Sequence, residues 1–260
     1  MTTRRTYHQQ LDTIKGEIVH MAAIVTEGVP RVTQVLLDND LGGAQEIIDG
    51  DDALDALSLE CEEQCYAVFA LQQPMAGDLR SLITAVRMIS EIERSGDLVV
   101  NIAKGSRRIY GTSYTPRLRG LIGRMGDEAA RLFRLSIDSY ADGDAAMAAA
   151  LDDLDDRLDD LHQDYIAEIF EAANDDAFDV QVAVQLALIG RYYERIGDHA
   201  VNIGERVRYM VTGWLPEQSG AAREAVRRSQ QTVGPDDQPL VLPTHLAAVD
   251  DRGRATGDGG

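Results

Sequence analysis

The apolar positions of this chain do not alternate with polar ones, and its β-branched residues are scattered rather than grouped in short runs. Ala, Leu, Arg, Asp and Glu dominate, and aromatic residues make up only 5%, a pattern that predicts an all-α protein. Turn residues divide the pattern into six long segments. The first runs from about Thr6 to Asp38, with a kink expected at Pro30, and the second from Leu41 to just before Gln73-Pro74. The third follows Gly77, with Asp78 as its expected N-cap, and ends near Gly111. Pro116 opens the fourth, which closes at Ala141-Asp142-Gly143-Asp144; the fifth reaches about Ala173 and closes at Asn174-Asp175-Asp176; Asp179 caps the sixth, which reaches about Gly213. After Pro216 the periodicity fails, and a mobile acidic tail is expected, with Leu240-Val241-Leu242 able to dock.

The six segments form two sets of three. Ile92-Glu93-Arg94-Ser95-Gly96-Asp97 matches Tyr193-Glu194-Arg195-Ile196-Gly197-Asp198 at an offset of 101 residues, and the match continues through Asn101-Ile102 and Asn202-Ile203. The preceding segments also match, at an offset of 104: Asp51-Asp52-x-Leu54-Asp55-x-Leu57 against Asp155-Asp156-x-Leu158-Asp159-x-Leu161. Such self-similarity marks duplication of a three-helix unit. Two tandem three-helix bundles are predicted, over residues 1–112 and 113–215, followed by the tail 216–260.

Each half carries two acidic pairs at i,i+4: Asp51/Asp55 with Glu93/Asp97, and Asp155/Asp159 with Glu194/Asp198. On a helix these spacings place both carboxylates on one face, and like charges there weaken an isolated helix. Because the second and third helices of each half run antiparallel, the pairs stand roughly level across the bundle. Four facing carboxylates repel one another unless protonated or bridged by cations. Oxygen ligands suit Mg²⁺, Ca²⁺ or Mn²⁺, and bridging carboxylates also suit iron. A single such spacing is ordinarily a solvated face; four of them in register and in duplicated positions favour a metal site. Gly96 and Gly197 cost about 1 kcal/mol each relative to Ala within a helix, which close helix approach or room for ions would explain. Arg94 and Arg195 face outward or pair with acids, with anion or partner binding as the alternative, and Asn101 and Asn202 extend the acidic stripe as ligands or as plain helix-face residues.

Composition narrows the function classes. The formal net charge of −19 argues against nucleic-acid binding, which needs cations to neutralise phosphates; it is compatible with cation binding, a basic partner or a salt-adapted surface. Lys15 and Lys104 are the only lysines. The start MTTRRTYHQQL lacks an apolar signal core, and no stretch approaches the roughly 20 apolar residues of a membrane span, so a soluble, cytoplasmic protein without membrane insertion is expected. Cys61 and Cys65, at i,i+4, are expected to be reduced core residues. His199 has Leu98 as its repeat counterpart and takes a surface or core role. Glu17-x-x-His20 and Asp159-x-x-His162 resemble the ExxH pairs of ferritin-like di-iron bundles but do not occupy corresponding repeat positions. No phosphate loop, Ser/His/Asp set or nucleophilic cysteine context is present, and nothing points to an enzyme.

The sequence Gln73-Pro74-x-Ala76-x-Asp78-Leu79-Arg80, followed by Glu93-Arg94-x-Gly96-Asp97 and repeated as Glu194-Arg195-Ile196-Gly197-Asp198, resembles the PhoU family of phosphate-specific transport accessory proteins from about Tyr7 to Val211. The resemblance implies two three-helix bundles with multinuclear metal, iron or zinc, on the motif carboxylates Asp51, Asp55, Glu93, Asp97, Asp155, Asp159, Glu194 and Asp198. It also implies a non-catalytic adaptor that restrains a Pst-type phosphate ABC transporter and helps a PhoR-type sensor histidine kinase silence the phosphate-starvation response; a homodimer is expected. Ser95, where the family more usually has an apolar residue, and the apolar Leu98-Val99-Val100 depart from the pattern and distinguish the first half from the second. The alternatives are a ferritin-like carboxylate oxidase and a metal-free helical interaction module.

Overall fold

Helix boundaries follow the local chemistry of the chain closely. A computed structural model describes residues 2–174 and 178–214; the predicted tail 216–260, including Leu240-Val241-Leu242, and turn residues 175 and 176 lie outside them. Among the described residues the chain forms α1 (Thr2–Asp38), α2 (Leu41–Asp49), α3 (Asp51–Gln72), α4 (Ala76–Arg108), α5 (Pro116–Asp142), α6 (Ala145–Asn174) and α7 (Val180–Thr212), with no strand. Asp40, Thr115 and Asp179 each accept a hydrogen bond from the backbone N–H three residues on, satisfying donors that the helix itself leaves free. Pro116 occupies the first helical position of α5, where no N–H is needed. At the other ends Gly143 (φ 65°) and Gly213 (φ 76°) adopt the left-handed cap conformation and donate back to Ser139/Tyr140 and Tyr209 carbonyls.

Three expectations are refined. The second segment is two helices, because Gly50 ends α2 by donating its N–H to Glu46 and Ile48 carbonyls while α3 starts at Asp51. Asp78 is not the N-cap of α4: that position is Met75, whose side chain has no oxygen to cap with, and Asp78 lies inside the first turn, its negative charge favoured at the helix N-terminus. Pro30 lies inside α1, which continues to Asp38.

The two three-helix sets, α1/α3/α4 and α5/α6/α7, join through their first and third helices. Helices α4 and α7 run antiparallel: Arg80 Nε donates to the Met210 carbonyl (3.3 Å), Thr84 Oγ1 to that of Arg206 (3.3 Å), and Arg108 at the far end reaches Gln185. Helices α1 and α5 do likewise, with Lys15 donating to the Ala141 carbonyl (2.6 Å) and Arg119 to that of Leu37. Buried residues of all four helices, such as Ile18, Val29, Ile92, Leu118, Phe133 and Ile196, belong to one continuous core. The bundles therefore form one body, with α3 packed on α1 and α4 and α6 packed on α5 and α7. Cys61 and Cys65 are free thiols buried in this core, as expected.

Candidate metal centre

A leucine–glycine contact sets the register of each half's acidic helices. Leu54 of α3 lies so close to Gly96 of α4 that a Cβ at position 96 would overlap its Cδ2; in the second half Leu158 and Asp155 press on Gly197 in the same way. This close approach accounts for the two mid-helix glycines. Because Asp51 and Asp55 lie within a turn of Leu54 while Glu93 and Asp97 lie within a turn of Gly96, the contact sets these four carboxylates on facing turns of α3 and α4, near enough to feel one another's charge. The repeat-matched contact does the same for Asp155, Asp159 and Asp198, while Glu194 pairs with Arg191.

The electrostatics record that convergence. Burial, followed by the charges of Asp55 and Asp97, raises the Asp51 carboxyl above its usual range; burial, then Asp97 and Asp55, raises Glu93. In the second half burial, Asp159 and Asp198 push Asp155 up to about 7, and burial with Asp198 and Asp156 raises Asp159. The Oδ1 atom of Asp155 is enclosed and has no hydrogen-bond partner. Asp51, by contrast, borders a cavity of about 270 Å³ opened between α1, α2, α3 and α4 at the Gly50 break.

The donor chemistry fits a hard cation: all-oxygen ligands, mutual repulsion that a cation would relieve, and an orphaned buried oxygen. The carboxylates face one another without closing into a cage. Among the described residues, no three or more His, Cys, Asp or Glu are gathered closely enough to hold a metal ion. Asp55, Asp97, Asp159 and Asp198 are exposed.

Several side chains have roles that the motif spacing did not disclose. Arg191 of α7 pairs with Glu194 and lies 3.7 Å from Asp198, placing a guanidinium on the second acidic face. Its i,i+3 spacing to Glu194 was available as a signal, but the matched position of the first half, Ser90, is uncharged. His199 is buried, and its Nδ1 meets Glu91 Oε2 at 2.6 Å across the α4–α7 contact. Asn202 donates to the same oxygen (3.3 Å) rather than extending the acidic stripe. Arg94 and Arg195 face outward as predicted. The two ExxH-like pairs serve different neighbours: Glu17 accepts from Gln64 of α3 (2.9 Å), while His162 packs near Gly190 of α7.

A duplicated helical body with an acidic face on each half defines a class of tandem three-helix bundle, and no described helix is long and apolar enough to cross a membrane. The chain belongs to the PhoU family: the PhoU domain matches twice, at residues 18–105 and 122–207. It is 37% identical over 214 residues to the phosphate-specific transport system accessory protein PhoU homolog 1 of Mycobacterium tuberculosis, covering 82% of this chain and 96% of that protein. To PhoU homolog 2 of the same species it is 33% identical, covering 82% of this chain and all of the relative. The crystal structure of PhoU from Pseudomonas aeruginosa superposes with a TM-score of 0.75 at 26% identity, covering 80% of this chain and 100% of that one.

Proposed function

We propose that this protein is a phosphate-transport accessory regulator that restrains a Pst-type phosphate ABC transporter and supports a PhoR-type sensor kinase in silencing the starvation response. The observation that carries this reading is the near full-length match to relatives named as phosphate-specific transport system accessory proteins, with both domain copies present. In this role the protein is a cytoplasmic, homodimeric adaptor and catalyses nothing. Exposed apolar residues, among them Leu79 and Ile83 of α4 and the repeat-matched Val180 and Val184 of α7, supply surface for its protein contacts. The eight carboxylates Asp51, Asp55, Glu93, Asp97, Asp155, Asp159, Glu194 and Asp198 hold cations, with iron or zinc as the family-implied ions and Mn²⁺, Mg²⁺ or Ca²⁺ as oxygen-preferring alternatives. A bound cation supplies charge neutralisation, allowing each acidic face to close.

Deleting the gene and restoring it on a plasmid tests the assignment. In phosphate-replete medium, deletion is expected to raise phosphate uptake and phosphate-regulated expression, and restoration to lower both. Unchanged uptake and expression in the deletion strain would sink the assignment.

A further inference from the structure

The two halves share a register but differ in how they fill the space inside it. Helix α1 aligns with α5 at an offset of 104 residues, so that buried Ile14, Ile18 and Met21 correspond to buried Leu118, Ile122 and Met125. At the same offset Gly28 corresponds to Leu132, and Gly50 corresponds to Leu154. Leu132 is fully buried, and Leu154 packs against the core from an α6 that runs unbroken through the matched position. The first half has two glycines instead, and both line the cavity of about 270 Å³ between α1, α2, α3 and α4. Its walls are apolar, built from Ile24, Val25, Ile47, Leu54, Val99 and Val100. Its rim is acidic. Glu27 and Asp51 border it without an ion-pair partner among the described residues, while Arg31 of the rim is already held by Glu46. In the second half the position matched to Glu27 is Arg131, which pairs with Glu128.

We propose that this cavity is a docking socket for one large apolar side chain, Leu, Met or Phe, presented by a basic helix of a partner protein. An apolar cavity of about 150 Å³ admits benzene, so this one has room for a phenyl ring or a branched aliphatic chain. Burying such an anchor supplies affinity. Arg or Lys one turn to either side of the anchor lies on the same helix face and meets Glu27 and Asp51 at the rim, which supplies orientation. Charge selects the occupant: a chain of net charge −19 repels a second copy of itself at an acidic rim and attracts a cationic partner. This docking is independent of the phosphate role proposed above and of any bound cation.

The test titrates a short alanine-rich helical peptide, with one central Phe and an Arg one turn to either side, into the methyl-labelled full chain in chelator. The Ile24 and Ile47 methyl resonances should shift, while that of Ile169 in α6 should not. Replacing the peptide's Phe by Ala should weaken binding about tenfold or more, and replacing its Arg by Glu should abolish it. Gly28→Leu and Gly50→Leu each restore the residue of the second half; a Cβ at position 28 meets only Val99, at an ordinary 3.4 Å. Both variants should lose the peptide response and melt above wild type. Glu27→Lys, on the exposed rim, should melt like wild type and weaken the Arg peptide severalfold. Equal binding of the Phe and Ala peptides, equal binding of the Arg and Glu peptides, or a response that survives in both filled variants overturns the proposal. A wild-type dimer in sedimentation that both filled variants dissolve also overturns it, because the occupant is then a second copy. Should a filled variant melt below wild type, the peptide exchanges and Glu27→Lys decide alone.

Discussion

Asp155→Asn should stabilise the metal-free protein and remove the second half's share of any cation-induced stabilisation. Asp155 is half-buried, its Oδ1 has no partner, and its neighbours are the charges of Asp159 and Asp198. Moving a carboxyl from its ordinary 3.8 to about 7 carries roughly 4 kcal/mol at face value. Solvent screening at a half-exposed position reduces that to about 1–2 kcal/mol. The sign follows from linkage: between about pH 4 and pH 7 the folded state holds a proton that the unfolded chain has already released. Wild-type stability therefore falls as pH rises through that window, then levels off. Asparagine mimics the protonated form at every pH. The difference between variant and wild type should be near zero at pH 4 and reach its full value above pH 7, as a melting temperature roughly 3–6 °C higher for the variant. Thermal melts in chelator from pH 4 to pH 8 measure it directly. Mn²⁺ at about 100 times its dissociation constant should then raise the wild-type stability by roughly 2.7 kcal/mol and leave the variant's second half unresponsive. A variant that melts below wild type at pH 7.5, or a difference independent of pH, would refute the account of Asp155 as a strained carboxylate awaiting a cation.

Two further outcomes are expected. Gly197→Ala gains about 1 kcal/mol of helix propensity, but its methyl meets Leu158 at 2.7 Å as well as Asp155, so overpacking should win with a net loss of about 1–2 kcal/mol in denaturant titrations; Gly96→Ala, which must displace only Leu54, should lose less, and equal losses would contradict this. Glu91→Ala should cost about 2 kcal/mol or more, because it leaves the buried His199 without its partner across α4 and α7. Burial opposes ionisation of Glu91, but the hydrogen bond and charge of His199, with Asn202, hold its carboxyl below the ordinary 4.5. Its stabilising contribution is thus present above that value and should fade as pH falls below it, and a variant that melts like wild type at pH 7 would show that the contact contributes nothing.

What could be read from the sequence depended on whether the signal was local or repeated. Helix spans were legible because caps and breakers act within four residues: Asp179 and Thr115-Pro116 fix their helices with hydrogen bonds that depend on little else. Asp78 misled because Asp is also favoured inside a first turn. The helix register that carries the acidic pairs was legible because duplication wrote it twice, and the Leu54–Gly96 and Leu158–Gly197 contacts preserve it in both halves. The joining of the halves was not legible: Glu91 and His199 are 108 residues apart, and their repeat counterparts, Tyr192 and Leu98, give no hint that they meet. Arg191 was hidden for the opposite reason, since aligning two copies draws attention to what agrees. Duplication thus keeps the shape of the acidic face and leaves its charge balance free to diverge, because a single substitution outside the core, such as Ser90 against Arg191, changes the cation count without touching the packing. Functional asymmetry between the halves should accordingly be sought where the repeats disagree on helix positions beside the motif.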